Sequence, residues 1–233
     1  MLDVKSLDSY YGRAHVLQGV SFALAAGEVM VLLGRNGAGK STTMKSLIGL
    51  LRPRAGNIVF QGHDIAGWEP HRIARLGMGY VPEERRIFAD LTVAENLEVG
   101  RRPPRAGLPA WTEERLFALF PNLARMRDRP GGRMSGGEQQ MLTIARTLMG
   151  NPILVLLDEP SEGLSPLIVE QMAQAVLALK STGVTVLLAE QNFHFAARVA
   201  DSAAVIESGR LVWSGTMAAL RADEAVRAAH LQV

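Results

Sequence analysis

The chain has 233 residues, 48% of them hydrophobic and 21% charged, which suits one domain with a buried core and excludes wholesale disorder. Twenty-five Lys and Arg against 23 Asp and Glu leave a formal charge of +2; the isoelectric point near 9.2 follows from having no Cys and three Tyr, not from clustered positive charge, so no nucleic-acid partner is expected. The lack of Cys excludes disulfides and thiolate metal sites, and the longest apolar runs, such as Ile153 to Leu157, fall far short of the ~18 residues of a membrane helix.

Met1 to Ser9 carries Asp3 and Asp8 without a long apolar stretch, and so predicts no secretory signal. Short strands are expected from Leu2 to Leu7 and from Gly19 to Leu24, with a turn at Ala26, Gly27 and Glu28. Val29 to Leu33 is continuously apolar and runs into a Gly-rich loop, the pattern of a buried parallel strand. A helix is predicted from Ser41 to Leu51, stopped by Arg52 and Pro53, and then a small hairpin from Gly56 to Phe60 and Gly62 to Ile65.

From about 91 to 149 strand-like runs vanish. Thr92 opens a helical stretch with Val93 and Leu97, and Pro103 and Pro104 sit in an Arg-rich break. Thr112 caps a helix that reaches Phe120 and ends at Pro121. A further helix runs from Ser135 to Gly150 with Met141, Leu142, Ala145, Leu148 and Met149 on one face. This texture predicts a helical lobe inserted into a core made of residues 1–90 and 150–233. Strand–helix alternation then resumes: a strand from Ile153 to Leu157, a helix from Ser165 and Pro166 to Lys180, and a strand from Val184 to Ala189. Ala203 to Glu207 and Arg210 to Ser214 flank a Ser208-Gly209 turn, and the last 15 or so residues read as an Ala-rich helix.

Gly34, Arg35, Asn36, Gly37, Ala38, Gly39, Lys40, Ser41 and Thr42 fit the phosphate-loop pattern G-x-x-x-x-G-K-[ST], placed between an apolar strand and a helix. The glycines let backbone N–H groups turn toward phosphate oxygens, and the helix start adds its unpaired donors. Lys40 can reach the β- and γ-phosphates, and the Ser41 hydroxyl is a ligand for Mg²⁺. Asp158 and Glu159 emerge at the end of the apolar strand 153–157, where open α/β sheets place ligands. Asp158 is a candidate Mg²⁺ partner, and Glu159 a candidate to orient or deprotonate an attacking water; alone, the pair could equally cap the next helix.

Met134, Ser135, Gly136, Gly137, Glu138, Gln139 and Gln140 form a second Gly-rich helix start, with Ser135 lying 23 residues ahead of Asp158. By itself it could be a helix cap. In this order with the other two motifs, it resembles the signature of ATP-binding cassette (ABC) ATPases, and the resemblance covers essentially the whole chain. It implies a P-loop NTPase with a RecA-like core sheet, an N-terminal antiparallel β subdomain and an inserted α-helical subdomain. It also implies two cassettes sandwiching two ATPs, with Ser135, Gly136, Gly137 and Glu138 reaching the partner's nucleotide. Tyr11 looks like the aromatic that stacks on adenine, with Val16 beside it, although such a Tyr could be simple core.

Three departures from the general family pattern resemble the LivF-type ATPases of branched-chain amino acid importers. Glu83 stands where most cassettes place Gln, Gln191 where a switch His is usual, and Ser165 where an Asp is usual. Glu83 can bind Mg²⁺ or its water but adds negative charge; Gln191 can hydrogen-bond the γ-phosphate but carries neither proton nor charge. His194, three residues on, is a poor substitute. The resemblance therefore implies a non-identical cassette partner that keeps the His, transmembrane permease subunits, a periplasmic solute-binding protein acting indirectly, and a place at the cytoplasmic face of the cell membrane. It further implies that the groove near Glu83 to Leu91 receives the permease's coupling helix. Residues 101–133 carry a local charge of +5, read first as a solvated face and second as a contact with a membrane partner or anionic lipid. Urea or amide uptake fits the same subgroup. A soluble cassette ATPase acting on nucleic acid or ribosomes would usually bring a second cassette or a basic arm, and a P-loop kinase leaves 135–140 unexplained.

Overall fold

In the computed structural model, which describes residues 1–231, the N-terminal alternation folds as a hairpin of β1 (Leu2–Tyr11) and β2 (Ala14–Leu24). The apolar run Val29–Leu33 is β3, and it is apolar throughout because both faces are covered. Val29, Val31 and Leu33 belong to one buried cluster, Met30 and Leu32 to another. The chain continues through α1 (Lys40–Leu47), β4 (Ala55–Phe60), β5 (His63–Asp64), α2 (Pro70–Leu76) and β6 (Met78–Val81). Helices α3 (Val93–Gly100), α4 (Glu113–Leu119), α5 (Pro121–Arg125) and α6 (Gly136–Leu148) follow with no strand between them. The alternation then returns as β7 (Leu154–Asp158), α7 (Pro166–Ser181), β8 (Thr185–Glu190), α8 (Phe193–Val199), β9 (Ser202–Glu207), β10 (Arg210–Thr216) and α9 (Met217–Ala222).

One sheet is antiparallel with order β2-β1-β4-β5, and the other has order β10-β9-β3-β8-β7-β6, parallel except for the edge strand β10. Register levels the ends of the central strands, since Leu33 lies opposite Glu190 and Asp158 opposite Ala189. The loops after β3, β8 and β7 therefore open on one edge of the sheet. The antiparallel sheet is keyed to the first of these loops: Gln18 N–H donates to Gly209 O (2.8 Å), and Gly209 N–H to Ala38 O (2.9 Å). Leu17 of β2 packs where a side chain on Gly39 would sit.

Some expectations shift. The helix after the phosphate loop stops at Leu47 instead of Leu51, because Gly49 turns left-handed (φ 81°) with its Cα close under the Trp68 carbonyl. Pro121 ends α4 as expected but is also the first residue of α5, where its missing N–H costs nothing. The Ala-rich C-terminal segment is not one helix. It breaks at Asp223, whose side chain caps the short turn Glu224–Val226, and Arg227–Leu231 form a wider turn. The short helices α2 and α8 were not foreseen; each is too short for a periodic apolar face to stand out.

Between β6 and α3 the chain crosses from sheet to helices as a loop fastened from both sides. Asn96, fully buried on α3, accepts from Phe88 N–H and donates to the carbonyls of Phe88, Leu91 and Thr92. From α6, Thr143 Oγ1 donates to Arg85 O (2.5 Å) and Arg146 Nη2 to Arg86 O (2.6 Å). Asn96→Ala would strand several buried backbone groups, with an expected loss of about 2–4 kcal/mol in urea unfolding. A change below about 0.5 kcal/mol would show that this side chain does not hold the loop.

Candidate active site

The phosphate loop is shaped by glycine and held by its own lysine. Gly37 and Gly39 take φ of 80° and 116°, which L side chains rarely adopt, and the space above Gly37 is open. A side chain on Gly34 would collide with the Ile206 carbonyl. Arg35, Asn36 and Gly37 are exposed, whereas Ala38, Gly39, Lys40 and Thr42 are buried. Gly39 is the N-cap of α1, with no side-chain cap and no acidic residue in the first turn, so the leading N–H groups are left for an anion. Lys40 is 3% exposed, and its Nζ donates to Gly34 O (2.7 Å) and Arg35 O (3.0 Å) and lies 3.0 Å from Glu159 Oε1. All three donors of the ammonium are thus met inside the chain.

The two carboxylates after β7 have separate surroundings. Asp158 accepts from Ser41 Oγ at Oδ1 (2.9 Å) and from Tyr80 Oη at Oδ2 (3.0 Å). Burial pushes its carboxyl up, and those two hydrogen bonds pull it back. Burial and the Asp158 charge hold the Tyr80 phenol well above its ordinary value, so it stays a donor. Glu159 turns left-handed (φ 48°), a sparsely populated region for a non-glycine residue, and this turn aims its side chain at Lys40. Ser41 and Asp158 are adjacent hard-oxygen donors, the kind Mg²⁺ takes. Among the described residues no three His, Cys, Asp or Glu converge as a metal cage.

Glu83 is exposed and forms no hydrogen bond with Ser41 or Asp158 among the described residues. It instead lines a cavity of about 180 Å³ with Arg85, Gln140, Glu159, Glu162 and Gly163. Gln140 is 2% exposed, and its Oε1 has no partner among the described residues. Glu190, at the end of β8, is buried and accepts from the backbone N–H groups of Ser161, Gln191 and Asn192. It ties the segment after Glu159 to the segment bearing Gln191. Burial pushes the Glu190 carboxyl up, against those hydrogen bonds. Gln191 is exposed ahead of α8, and His194 lies exposed within it. Tyr80, Glu162 and Glu190 escape the sequence reading, since nothing in their spacing separates them from packing or surface residues; Gln140 is read there only as the end of the Gly-rich helix start, not as a wall of this cavity.

Tyr11 ends β1 at 48% exposure, and Val16 lies across the hairpin on β2, half-buried. Ser135 and Glu138 form a capping box on α6, Ser135 Oγ accepting from Glu138 N–H and Glu138 Oε2 from Ser135 N–H (2.7 Å). Gly136 lies under the Arg85 guanidinium and Gly137 against Ile168. Among the described residues no hydrogen bond joins 135–138 to the phosphate loop of the same chain; Ser135 is exposed, whereas Gly137 is buried.

Glu162 is pushed up to about 7 by its hydrogen bond to Glu159, by burial, and by the charges of Glu159, Glu83 and Glu190. Between the ordinary glutamate value, about 4.3, and that raised value, the unfolded chain has lost the proton that the folded chain keeps. Stability contributed by Glu162 therefore falls as pH rises through this window. Thermal midpoints of Glu162→Gln followed from about pH 4.5 to 7.5 are expected to slope less steeply than those of the parent. Identical slopes would contradict this.

The ABC transporter family profile matches residues 17–162. The high-affinity branched-chain amino acid transport ATP-binding protein BraG of Pseudomonas aeruginosa is 42% identical over 231 residues, 99% of each chain. The lipopolysaccharide export system ATP-binding protein LptB of Acidithiobacillus ferridurans is 35% identical over 234 residues, 99% of this chain and 96% of that one. Among solved structures, the ADP conformation of MJ1267, an ATP-binding cassette of an ABC transporter, superposes with a TM-score of 0.81 at 28% identity, covering 97% of this chain and 96% of that one. With a phosphate loop, a carboxylate pair at the neighbouring strand end and this likeness along its length, the chain belongs to the ABC transporter ATPases, which bind nucleotide and couple its hydrolysis to transport.

Proposed function

We propose that this chain is the ATP-hydrolysing subunit of an importer for branched-chain or related amino acids. The observation that carries the solute class is the 42% identity to BraG along 99% of both chains. Glu83, Gln191 and Ser165, the departures from the general cassette pattern, agree with it. The 35% identity to LptB supports the cassette chemistry the two share and no particular solute.

In this reading residues 1–90 and 150–233 form the core with its β subdomain, and 91–149 the helical subdomain. Gly34 to Thr42 wrap the triphosphate, whose oxygens take over the Lys40 donors now held by Gly34 O, Arg35 O and Glu159. That exchange frees Glu159 from its cation, and Glu159 then orients and deprotonates the attacking water. Mg²⁺ supplies charge neutralisation on the phosphates when bound; Ser41 and Asp158 would hold it, with Glu83 reaching it or its water. Tyr11 stacks on the adenine beside Val16, and Gln191 hydrogen-bonds the γ-phosphate. Ser135, Gly136, Gly137 and Glu138 face the nucleotide of a second cassette. That second cassette is a non-identical one bearing a His at the position of Gln191.

Among the described residues no helix is long and apolar enough to cross a membrane, so the pore belongs to separate permease subunits. The chain sits at the cytoplasmic face of the cell membrane through them, and a periplasmic solute-binding protein acts on the same complex from the other side. The loop 82–91 offers Phe88, 47% exposed and with the Arg146 guanidinium 4.9 Å from its ring, toward the permease's coupling helix.

Glu159→Gln keeps the size and hydrogen bonding of the side chain but not its basicity. It is expected to retain ATP binding and to lose at least about 10²-fold in turnover. Undiminished turnover would remove Glu159 from the mechanism. A second measurement addresses the partner. Addition of a second cassette that bears a His at the position of Gln191 should raise ATPase activity several-fold above the homodimer, whereas a homodimer already at full rate would exclude the unequal pair.

A further inference from the structure

Tyr10, the residue before the proposed adenine platform, is the middle rung of a stack. Its ring centroid lies 4.2 Å from that of His15 with the planes 7° apart, and the Arg54 guanidinium sits 4.5 Å from the Tyr10 ring centre. Tyr10 and His15 come from neighbouring strands, and Arg54 from the residue just before a third. His15 on β2 is opposite Tyr10 on β1, and Arg54 directly precedes β4, its N–H donating to Asp8 O (2.8 Å). The strand order β2-β1-β4 puts Tyr10 between the other two. His15 Nε2 also meets Asp8 Oδ1 at 2.6 Å, which fixes the plane of the imidazole.

The stack stands where the hairpin is least regular. Pairing steps from Ser9 opposite Leu17 to Tyr10 opposite His15, which leaves Val16 as an extra residue, a β-bulge. Beyond the bulge only two pairs remain, Tyr10 with His15 and Tyr11 with Ala14, before the chain turns at Gly12 (φ 58°). So short a hairpin end frays in water unless its side chains hold it. Tyr11 makes no aromatic or cation contact among the described residues that could anchor it. Its direction is therefore set by the backbone of this end. Ser9, two residues earlier, faces α1, with its Oγ 2.8 Å from Ser46 Oγ. Strand alternation puts Tyr11 on that same face, toward the phosphate-loop helix, and Tyr10 with its stack on the other.

We propose that Tyr10, His15 and Arg54 form a cross-strand ladder that positions Tyr11 and so sets affinity for the nucleotide's base without touching the nucleotide. The proposal rests on the reading of Tyr11 as the base platform, and it makes His15 a positioning residue. Loss of one rung leaves the phosphate loop intact, because that loop is held by Lys40, Gly209 and Leu17. Base affinity and phosphate affinity should therefore separate.

Calorimetric titration with Mg·ATP and with Mg·tripolyphosphate, alongside steady-state ATPase rates, tests this in the parent, His15→Ala, His15→Phe and Tyr11→Ala. His15→Ala is expected to weaken ATP binding and raise KM about three- to ten-fold, with kcat and tripolyphosphate binding unchanged. His15→Phe, which keeps a ring in the stack, should restore ATP affinity. ATP affinity untouched by His15→Ala but lowered by Tyr11→Ala overturns the ladder alone. Parallel loss of ATP and tripolyphosphate affinity in His15→Ala, or no rescue by Phe, also overturns it as a general structural effect. ATP affinity untouched by Tyr11→Ala removes the platform itself and the ladder's role with it.

Discussion

The buried contact between Lys40 and Glu159 joins two strand ends that are not neighbours in the sheet. β8 lies between β3 and β7, so the loop after β3 and the turn after β7 meet only over its end. An ammonium and a carboxylate withdrawn from water cannot stay apart cheaply, since each charge carries a large desolvation cost unless matched. Meeting that requirement fixes much around it. Lys40 draws the Gly34 and Arg35 carbonyls inward and so shapes the phosphate loop from within. Glu159 adopts a left-handed backbone to reach across, which leaves Asp158 pointing at Ser41 and Tyr80. The contact occupies the donors a triphosphate would use, so the resting site is already organised for the charge it takes up.

Carboxylates dominate the remaining surroundings. Glu83, Glu159, Glu162 and Glu190 act on one another closely enough to push Glu162 up to about 7. Such crowding is costly for stability and common where a site handles protons or metal-bound phosphate. The protein contains it by tethering. Glu190 gathers three backbone N–H groups from the segments on either side of it, and Lys40 and Arg85 supply positive charge nearby. Gln140 of α6, whose Oε1 has no partner among the described residues, lines the same cavity as Glu83, Glu159 and Glu162. α6 thereby reaches this cavity through a side chain.

What was legible beforehand follows from how local each signal is. The phosphate loop, the apolar strands and the helix starts at Thr92, Thr112 and Ser135 are written in consecutive residues, because glycine torsions, capping and burial on both faces are set within a few positions. Asp158 and Glu159 were legible as a pair at a strand end, but their opposite partners were not. Tyr80 and Glu190 carry no local mark of their part in the site, and Gln140 is marked only as the end of the helix start at 134–140. Each becomes part of it only when β6, β8 and α6 are brought beside β7. The lengths of α1 and of the C-terminal helices depart from the sequence pattern for a related reason: Gly49 under Trp68 and the cap at Asp223 are long-range and short-range breaks that composition does not reveal.

By itself, then, the sequence determined the class of fold, the anion-binding loop, the order of the three motifs and the lack of any segment apolar enough to span a membrane. Each of these depends on neighbours along the chain. Tertiary structure alone decided that Lys40 rests on Glu159, that Asp158 is shared by Ser41 and Tyr80, and that Glu83 lines a cavity with Glu159 and Glu162. It also decided that Tyr10 stacks between His15 and Arg54. Those pairings are set by sheet order and register, which bring together residues far apart in sequence and are fixed only when both faces of the sheet are buried at once.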